Sequence, residues 1–135
     1  SKAQIKSQQE CVFDGEVRES NITMPKEMYP DQKGEVRITV KNVGTCTWHP
    51  RDVELVVSIK TGPSGAKVQR DELLPSSSEG LFPPTTLPGE SASLKYSIEA
   101  PYYLGSYNLE FTLMYKGQKF GDSRVTKEVK IVPKK

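Results

Sequence analysis

The chain has 135 residues, enough for one domain with a real hydrophobic core and too few for two. Lys and Arg number 19 against 17 Asp and Glu, and the signs are interspersed, which argues for a solvated surface and against a nucleic-acid-binding patch. No apolar run approaches the ~18 residues of a membrane-spanning helix, so direct membrane insertion is not expected.

Nor does a signal peptide's apolar core follow Ser1, so any targeting signal is expected upstream, in a longer parent protein. Residues 1–10 are polar apart from Ile5 and read as a flexible N-terminal linker; 11–133 form the domain and 134–135 a tail. Residues 11–15 (CVFDG) predict a short extended piece broken by Gly15. Residues 20–24 (SNITM) predict another, ended by Pro25. In 28–31 (MYPD) a turn is expected, because Pro30 fixes φ and Asp31 can hydrogen-bond the backbone ahead of it.

The first long strand is predicted over 35–42. Val36, Ile38 and Val40 share one face and Glu35, Arg37, Thr39 and Lys41 the other, the pattern of a half-buried antiparallel sheet. Residues 53–59 repeat it through Val53, Leu55, Val57 and Ile59. Val56 on the opposite face implies that this face is partly covered. After the turn chemistry of 60–65 (KTGPSG), an edge strand is expected around 67–70, its charge discouraging stray pairing. Residues 75–88 (PSSSEGLFPPTTLP) form a long loop, with Leu81-Phe82 either plugging the core's edge or exposed as a binding tip.

Alternation resumes through Ala92, Leu94, Tyr96 and Ile98, then through Tyr107, Leu109, Phe111 and Leu113. Lys116-Gly117 turns that strand into 118–121 as a hairpin. Val125, Val129 and Ile131 carry the last strand, broken by Pro133. About seven alternating segments at turn spacings of roughly ten residues describe an all-β fold, an antiparallel two-sheet sandwich. Gly105-x-Tyr107 at the head of a late strand is similar to the tyrosine corner of immunoglobulin-like folds. Leu109 stands where an antibody domain has its second inter-sheet cysteine, so an ordinary core disulfide is not expected.

Cys11 and Cys46 belong to no CxxC or Cys/His cluster, and with one histidine they do not assemble a zinc site, so neither metal nor cofactor is expected. Both lie beside turns, which favours a disulfide over two free buried thiols. Trp48 has the area of a core anchor, and its indole N–H would need a partner if buried. Tyr107 and Phe111 read as further structural anchors. His49 reads as a solvent-facing turn residue. Ser76–Ser78 lack a nucleophile elbow, and no acidic pair or calcium-loop spacing appears, so no catalytic residue is assigned. Asn21-Ile22-Thr23 fits an N-glycosylation acceptor, a tripeptide that arises often by chance. Phe82, Tyr102 and Tyr103, with Trp48, are expected to gather at one end of the sandwich, either as a binding loop or as a cover over the core.

Residues 40–50 (VKNVGTCTWHP) resemble the K-N-T-G-T-C-T-W-x-P signature of the immunoglobulin-like domain named after next-to-BRCA1 proteins. Leu87-Pro-Gly-Glu90 is similar to its L-x-P-G-E/Q turn, 100–107 (APYYLGSY) to A-P-x-x-x-G-x-Y, and 117–121 (GQKFG) to G-x-x-F-G. These motifs keep their order over about 11–132. The resemblance implies an immunoglobulin-like sandwich and, as in the family's extracytoplasmic members, a disulfide between Cys11 and Cys46. Receptor-type members carry four tryptophans, whereas Ile38 and Phe111 stand at two of those positions and no aromatic residue stands near Val125. The scaffold is therefore implied, rather than a receptor's cargo surface.

Three functions follow. The favoured one is a non-catalytic protein-interaction or adhesion module of a larger secreted or surface protein, binding a protein partner through end loops or a sheet edge. The second is a cytoplasmic adaptor domain that binds protein cargo, as in autophagy receptors. The third is a carbohydrate-binding accessory domain with Tyr102, Tyr103 or Phe82 as a flat platform.

Overall fold

A computed structural model describes residues 4–6, 11–68, 72–75, 81–121 and 124–134. Its strands, in chain order, are β1 (Ile5–Lys6), β2 (Val12–Phe13), β3 (Gly15–Glu16), β4 (Ile22–Thr23), β5 (Glu27–Met28), β6 (Lys33–Asn42), β7 (Val53–Thr61), β8 (Ser91–Glu99), β9 (Gly105–Tyr115), β10 (Gln118–Lys119) and β11 (Val125–Ile131). A 3-10 turn, Glu19–Asn21, precedes β4.

Two sheets face each other. In the first, β6 is central: β8 pairs along one edge, from Lys33↔Glu99 to Lys41↔Ser91, and β3 and β4 share the other. In the second, β9 is central, with β7 on one edge and the hairpin strand β10 followed by β11 on the other. β5 adds to β11 in parallel, Lys130↔Glu27 and Ile131↔Met28. After the separate β1–β2 pair, the N-terminal segment thus runs in the first sheet as β3 and β4 and crosses to the second around Pro25. This is the two-sheet sandwich expected from the alternation, in the immunoglobulin-like form that the resemblance implied.

The alternation holds because one face of each long strand is buried. Val36, Ile38 and Val40 are closed off, and so are Leu55, Tyr107, Leu109, Phe111 and Leu113 across from them. Each such side chain stabilises the fold by about 1.5–3 kcal/mol relative to exposure. Val56 lies opposite Thr112 on the second sheet's outer face, where both are half-buried or better.

Four expectations are revised. Residues 1–10 were expected to form a linker, yet Ile5–Lys6 pairs antiparallel with Val12–Phe13; residues 1–3 and 7–10 lie outside those described. Gly15 opens β3 rather than ending a strand. Its lack of a side chain lets Leu113, Trp48 and Phe120 close over it, within 3.1 Å of where a Cβ would stand. Met28 belongs to a strand and not merely to a turn, because the parallel partner β11 supplies the pairing that its short length hides. Lys67 and Val68 lie outside any strand, while 69–71 fall outside the described residues. Among the described residues there, one parallel bridge, Glu72↔Glu99, joins the backbone of the first sheet.

The β7–β8 connection closes the side of the sandwich between those two strands. Leu73 is fully buried and its carbonyl accepts the Tyr96 hydroxyl at 3.0 Å. Farther on, Leu81 exchanges two backbone bonds with Leu55 at 2.7 and 3.0 Å, and Thr86 does the same with Trp48.

Candidate functional site

The sequence's most distinctive stretch is a structural clasp. Asn42, fully buried, donates through Nδ2 to the carbonyls of Cys46 (2.8 Å) and Thr86 (2.9 Å), and its Oδ1 accepts the Gly44 amide (3.1 Å). The turn it shapes receives the N-terminal segment. The Thr45 and Cys46 amides both donate to the Val12 carbonyl, Val43 donates to Asp14, and Val12 N–H donates back to Thr45 Oγ1. Cys11 and Cys46 are joined by a disulfide, with 5.0 Å between their Cα atoms. Phe13 stacks on Tyr115 at 4.0 Å, fastening the same segment to the second sheet.

Trp48 is fully buried and meets Phe120 edge-on, with ring centroids 5.9 Å apart. Its indole N–H has no hydrogen-bond acceptor among the described residues. Shape and area hold it rather than polarity. Phe111 is likewise closed off in the core, and His49 is exposed in the turn whose carbonyl accepts the Asp52 amide.

The expected aromatic grouping does not form. Leu81 pairs with Leu55 near the start of β7, so Phe82 sits half-buried toward the Trp48 end, with the Arg51 guanidinium 5.2 Å above its ring. Tyr102 and Tyr103 lie in the β8–β9 connection. β7 runs antiparallel to β9 from Val53↔Tyr115 to Thr61↔Asn108, so its start and the head of β9 are at opposite ends. Trp48 belongs to the core. Phe82 therefore leaves the predicted set, and sequence alone gave no sign of it because loop length does not fix which end a loop reaches.

What gathers at the β8–β9 end is a different group. Tyr102 is 78% exposed, Tyr103 55%, Leu104 47% and Tyr29 39%, four of the six large hydrophobics exposed among the described residues. Two turns present them. In the first, Pro30 and Asp31 (φ 67°) shape a turn closed by Gln32 N–H to the Tyr29 carbonyl, and the Gln32 side chain accepts the Tyr29 amide. Asp31 N–H then donates to Ala100 (3.1 Å), and Ala100 N–H to Gln32 (2.8 Å), stitching this turn to the second. The second is held by Tyr107, whose ring is buried and whose hydroxyl donates to the Tyr103 carbonyl at 2.8 Å. Burial, with the Glu72 carboxylate and Tyr103 adding to it, raises the Tyr107 phenol above its usual range, so the donor proton stays in place. The exposed rings thus stand on backbone that is already fixed. Tyr29 escaped the sequence reading because only the pairing across Ala100 brings it here.

Among the described residues no group of three or more His, Cys, Asp or Glu side chains is placed to hold a metal ion, and no helix is long and apolar enough to cross a membrane. A shallow cavity of about 490 Å³ lies on the outer face of the first sheet, between Asn21, Thr23, Arg37, Thr39, Ser93 and Lys95. It is lined by hydroxyls and cations, and both ends of the Asn21-Ile22-Thr23 tripeptide are exposed beside it.

Residues 21–131 match the family model described as the Ig-like domain from next to BRCA1 gene. The chain belongs to this family. The Asn42–Trp48 half of the clasp, the 87–90 turn and the tyrosine corner fall within the match, whereas Cys11–Asp14 precede it. Compared with curated proteins, the chain matches none. Among solved structures it is similar to the CARDB domain of a Pyrococcus furiosus protein in solution, with a TM-score of 0.60 and 18% identity over 90% of this chain and 96% of that one. It is also similar to a crystal structure of that domain in complex with di-metal ions, with a TM-score of 0.58 and 17% identity over 95% and 93% of the two chains. A β-glucosidase from Listeria innocua in complex with glucose matches at a TM-score of 0.50 and 12% identity, over 90% of this chain but 16% of the glucosidase. At these identities the likenesses concern the fold.

Proposed function

We propose that the domain is a non-catalytic protein-interaction module of a larger secreted or surface-exposed protein, and that Tyr29, Tyr102, Tyr103 and Leu104 make its contact surface. The observation that carries this reading is four exposed apolar side chains on two turns whose backbones are already tied down. Rings held this way offer large contact area at little further entropic cost on binding. A protein partner suits the surface better than a glycan. Sugar recognition needs convergent polar groups, and the Gln32 side chain here is spent on its own turn. The Cys11–Cys46 disulfide and the family's non-catalytic character support the extracytoplasmic setting and the absence of chemistry.

Photo-crosslinking from position 103, with position 87 at the other end as control, tests the proposal in the parent protein under native conditions. Protein adducts are expected from 103 and not from 87, and Tyr29→Ser with Tyr102→Ser, made with the probe still at 103, should abolish them. Equal labelling at both ends, or binding to a polysaccharide panel that the double variant loses, would overturn it.

A further inference from the structure

The two sheets end in unequal edges. β3 and β4 cover one side of β6, whereas β8 is an edge strand of nine residues. Two backbone bonds beyond its ends set the phase of its ladder: Asn42 N–H to Glu90 at 2.9 Å, and Ala100 N–H to Gln32 at 2.8 Å. With the register Lys41↔Ser91 to Lys33↔Glu99, that phase makes Ala92, Leu94, Tyr96 and Ile98 the residues that exchange bonds with β6. Ser91, Ser93, Lys95 and Ser97 therefore aim their N–H and C=O groups away from the sheet. Glu99 meets Glu72 there; the other four have no backbone partner among the described residues.

Three features make this edge receptive rather than protected. It is long and carries neither a bulge nor a proline. Its outward side chains are three serines and Lys95, with Glu99 at its end. Its inward ones are incompletely covered: Ala92, Leu94 and Tyr96 keep 6%, 9% and 8% exposure, against 0%, 1% and 0% for their β6 partners Val40, Ile38 and Val36. Charge selects the occupant. Lys95 lies directly opposite Arg37, and the one acid beside them, Glu35, is held by Arg37 at 2.6 Å, which keeps its carboxyl below the usual range. Lys95 itself closes no ion pair among the described residues, so Glu35, already bonded to Arg37, is the one acid facing two cations.

We propose that the outer edge of β8 binds an extended segment of a partner protein by β-strand addition. The added strand turns small apolar residues inward over Ala92, Leu94 and Tyr96 and sets an acidic residue opposite Lys95. This surface is independent of the tyrosine end.

The test uses hydrogen exchange on the folded domain with a synthetic nine-residue peptide alternating valine and threonine, with one glutamate at its centre. In the free protein the amides of Ser93, Lys95 and Ser97 are expected to exchange fast, and those of Leu94 and Tyr96 slowly. The peptide should slow the first set. Protection of that set in dilute protein alone would show that the chain already covers its own edge. Protection that grows with protein concentration would assign the edge to a second copy. Either result, or no response to the peptide, overturns the proposal. Lys95→Glu should reverse the preference for the glutamate peptide over its lysine counterpart, by roughly two- to fivefold each way. Ser93→Pro removes a donor that β6 does not use, so the domain should fold while binding is lost.

Discussion

Asn42 concentrates in one side chain what holds the clasp. It bonds two carbonyls and one amide in a fully buried site, and two of these, Cys46 O and Gly44 N, have no substitute among the contacts described. A buried polar group left unpaired costs about 1–3 kcal/mol. Asn42→Ala is therefore expected to destabilise the domain by roughly 2–4 kcal/mol in urea unfolding. Asn42→Asp should be worse at neutral pH, since it turns a carboxylate toward carbonyl oxygens, and should recover in part on acidification. The buried phenols act at the other end of the pH scale. Burial alone raises Tyr96, and burial with Glu72 raises Tyr107. The unfolded chain ionises these groups near pH 10. Their contribution is thus intact below about pH 10 and lost as pH rises from there through the folded values. Stability measured between pH 9 and 11.5 should fall more steeply for wild type than for Tyr96→Phe, and this group should add no slope between pH 5 and 8.

At the scale of elements, the long strands were legible because each buries one face and so writes period two into the chain. β6, β7, β8, β9 and β11 all lie where alternation placed them. What escaped were pieces whose identity comes from a partner. β5 is two residues long and is a strand only because β11 runs beside it. The segment near 67–70 looked like a strand by composition, yet Lys67 and Val68 join no ladder. The Phe82 loop was misplaced for the same reason, since a residue's neighbours across the sandwich are not encoded in its own spacing.

Turn motifs show the same limit. Gly89 and Gly121 both adopt positive φ, 86° and 75°, and both sit in motifs readable as generic turns. A Cβ on Gly89 would meet open space, whereas one on Gly121 would stand 2.2 Å from the Gly15 carbonyl oxygen. Gly89→Ala is expected to cost about 1–2 kcal/mol from backbone strain alone. Gly121→Ala should cost clearly more, because β3 must be pushed off Phe120 and Trp48 as well. Thermal unfolding of the two variants side by side separates strain from collision.

For the whole molecule the decisive constraint is how the N-terminal segment is attached. It supplies β2 and β3, covers Trp48 through Gly15, and is fixed by one covalent bond across 35 residues. Closing a loop of that length stabilises the native state by up to about 4 kcal/mol on the chain-entropy account. Cys11→Ser with Cys46→Ser is expected to lose about 2–4 kcal/mol in urea unfolding followed by Trp48 fluorescence. The slope of that transition says how the loss occurs. An unchanged slope means that the clasp's backbone bonds keep the segment docked until the whole domain unfolds. A shallower slope with early red-shifted emission means that the segment leaves first and exposes Trp48, the domain's single tryptophan. The bonds from Val12 and Asp14 to the 43–46 turn, the Phe13–Tyr115 stack and the buried Asn42 favour the first outcome. On that reading the disulfide adds stability to an attachment that the sequence already makes without it, and a reducing environment would weaken the domain while leaving both proposed binding surfaces in place.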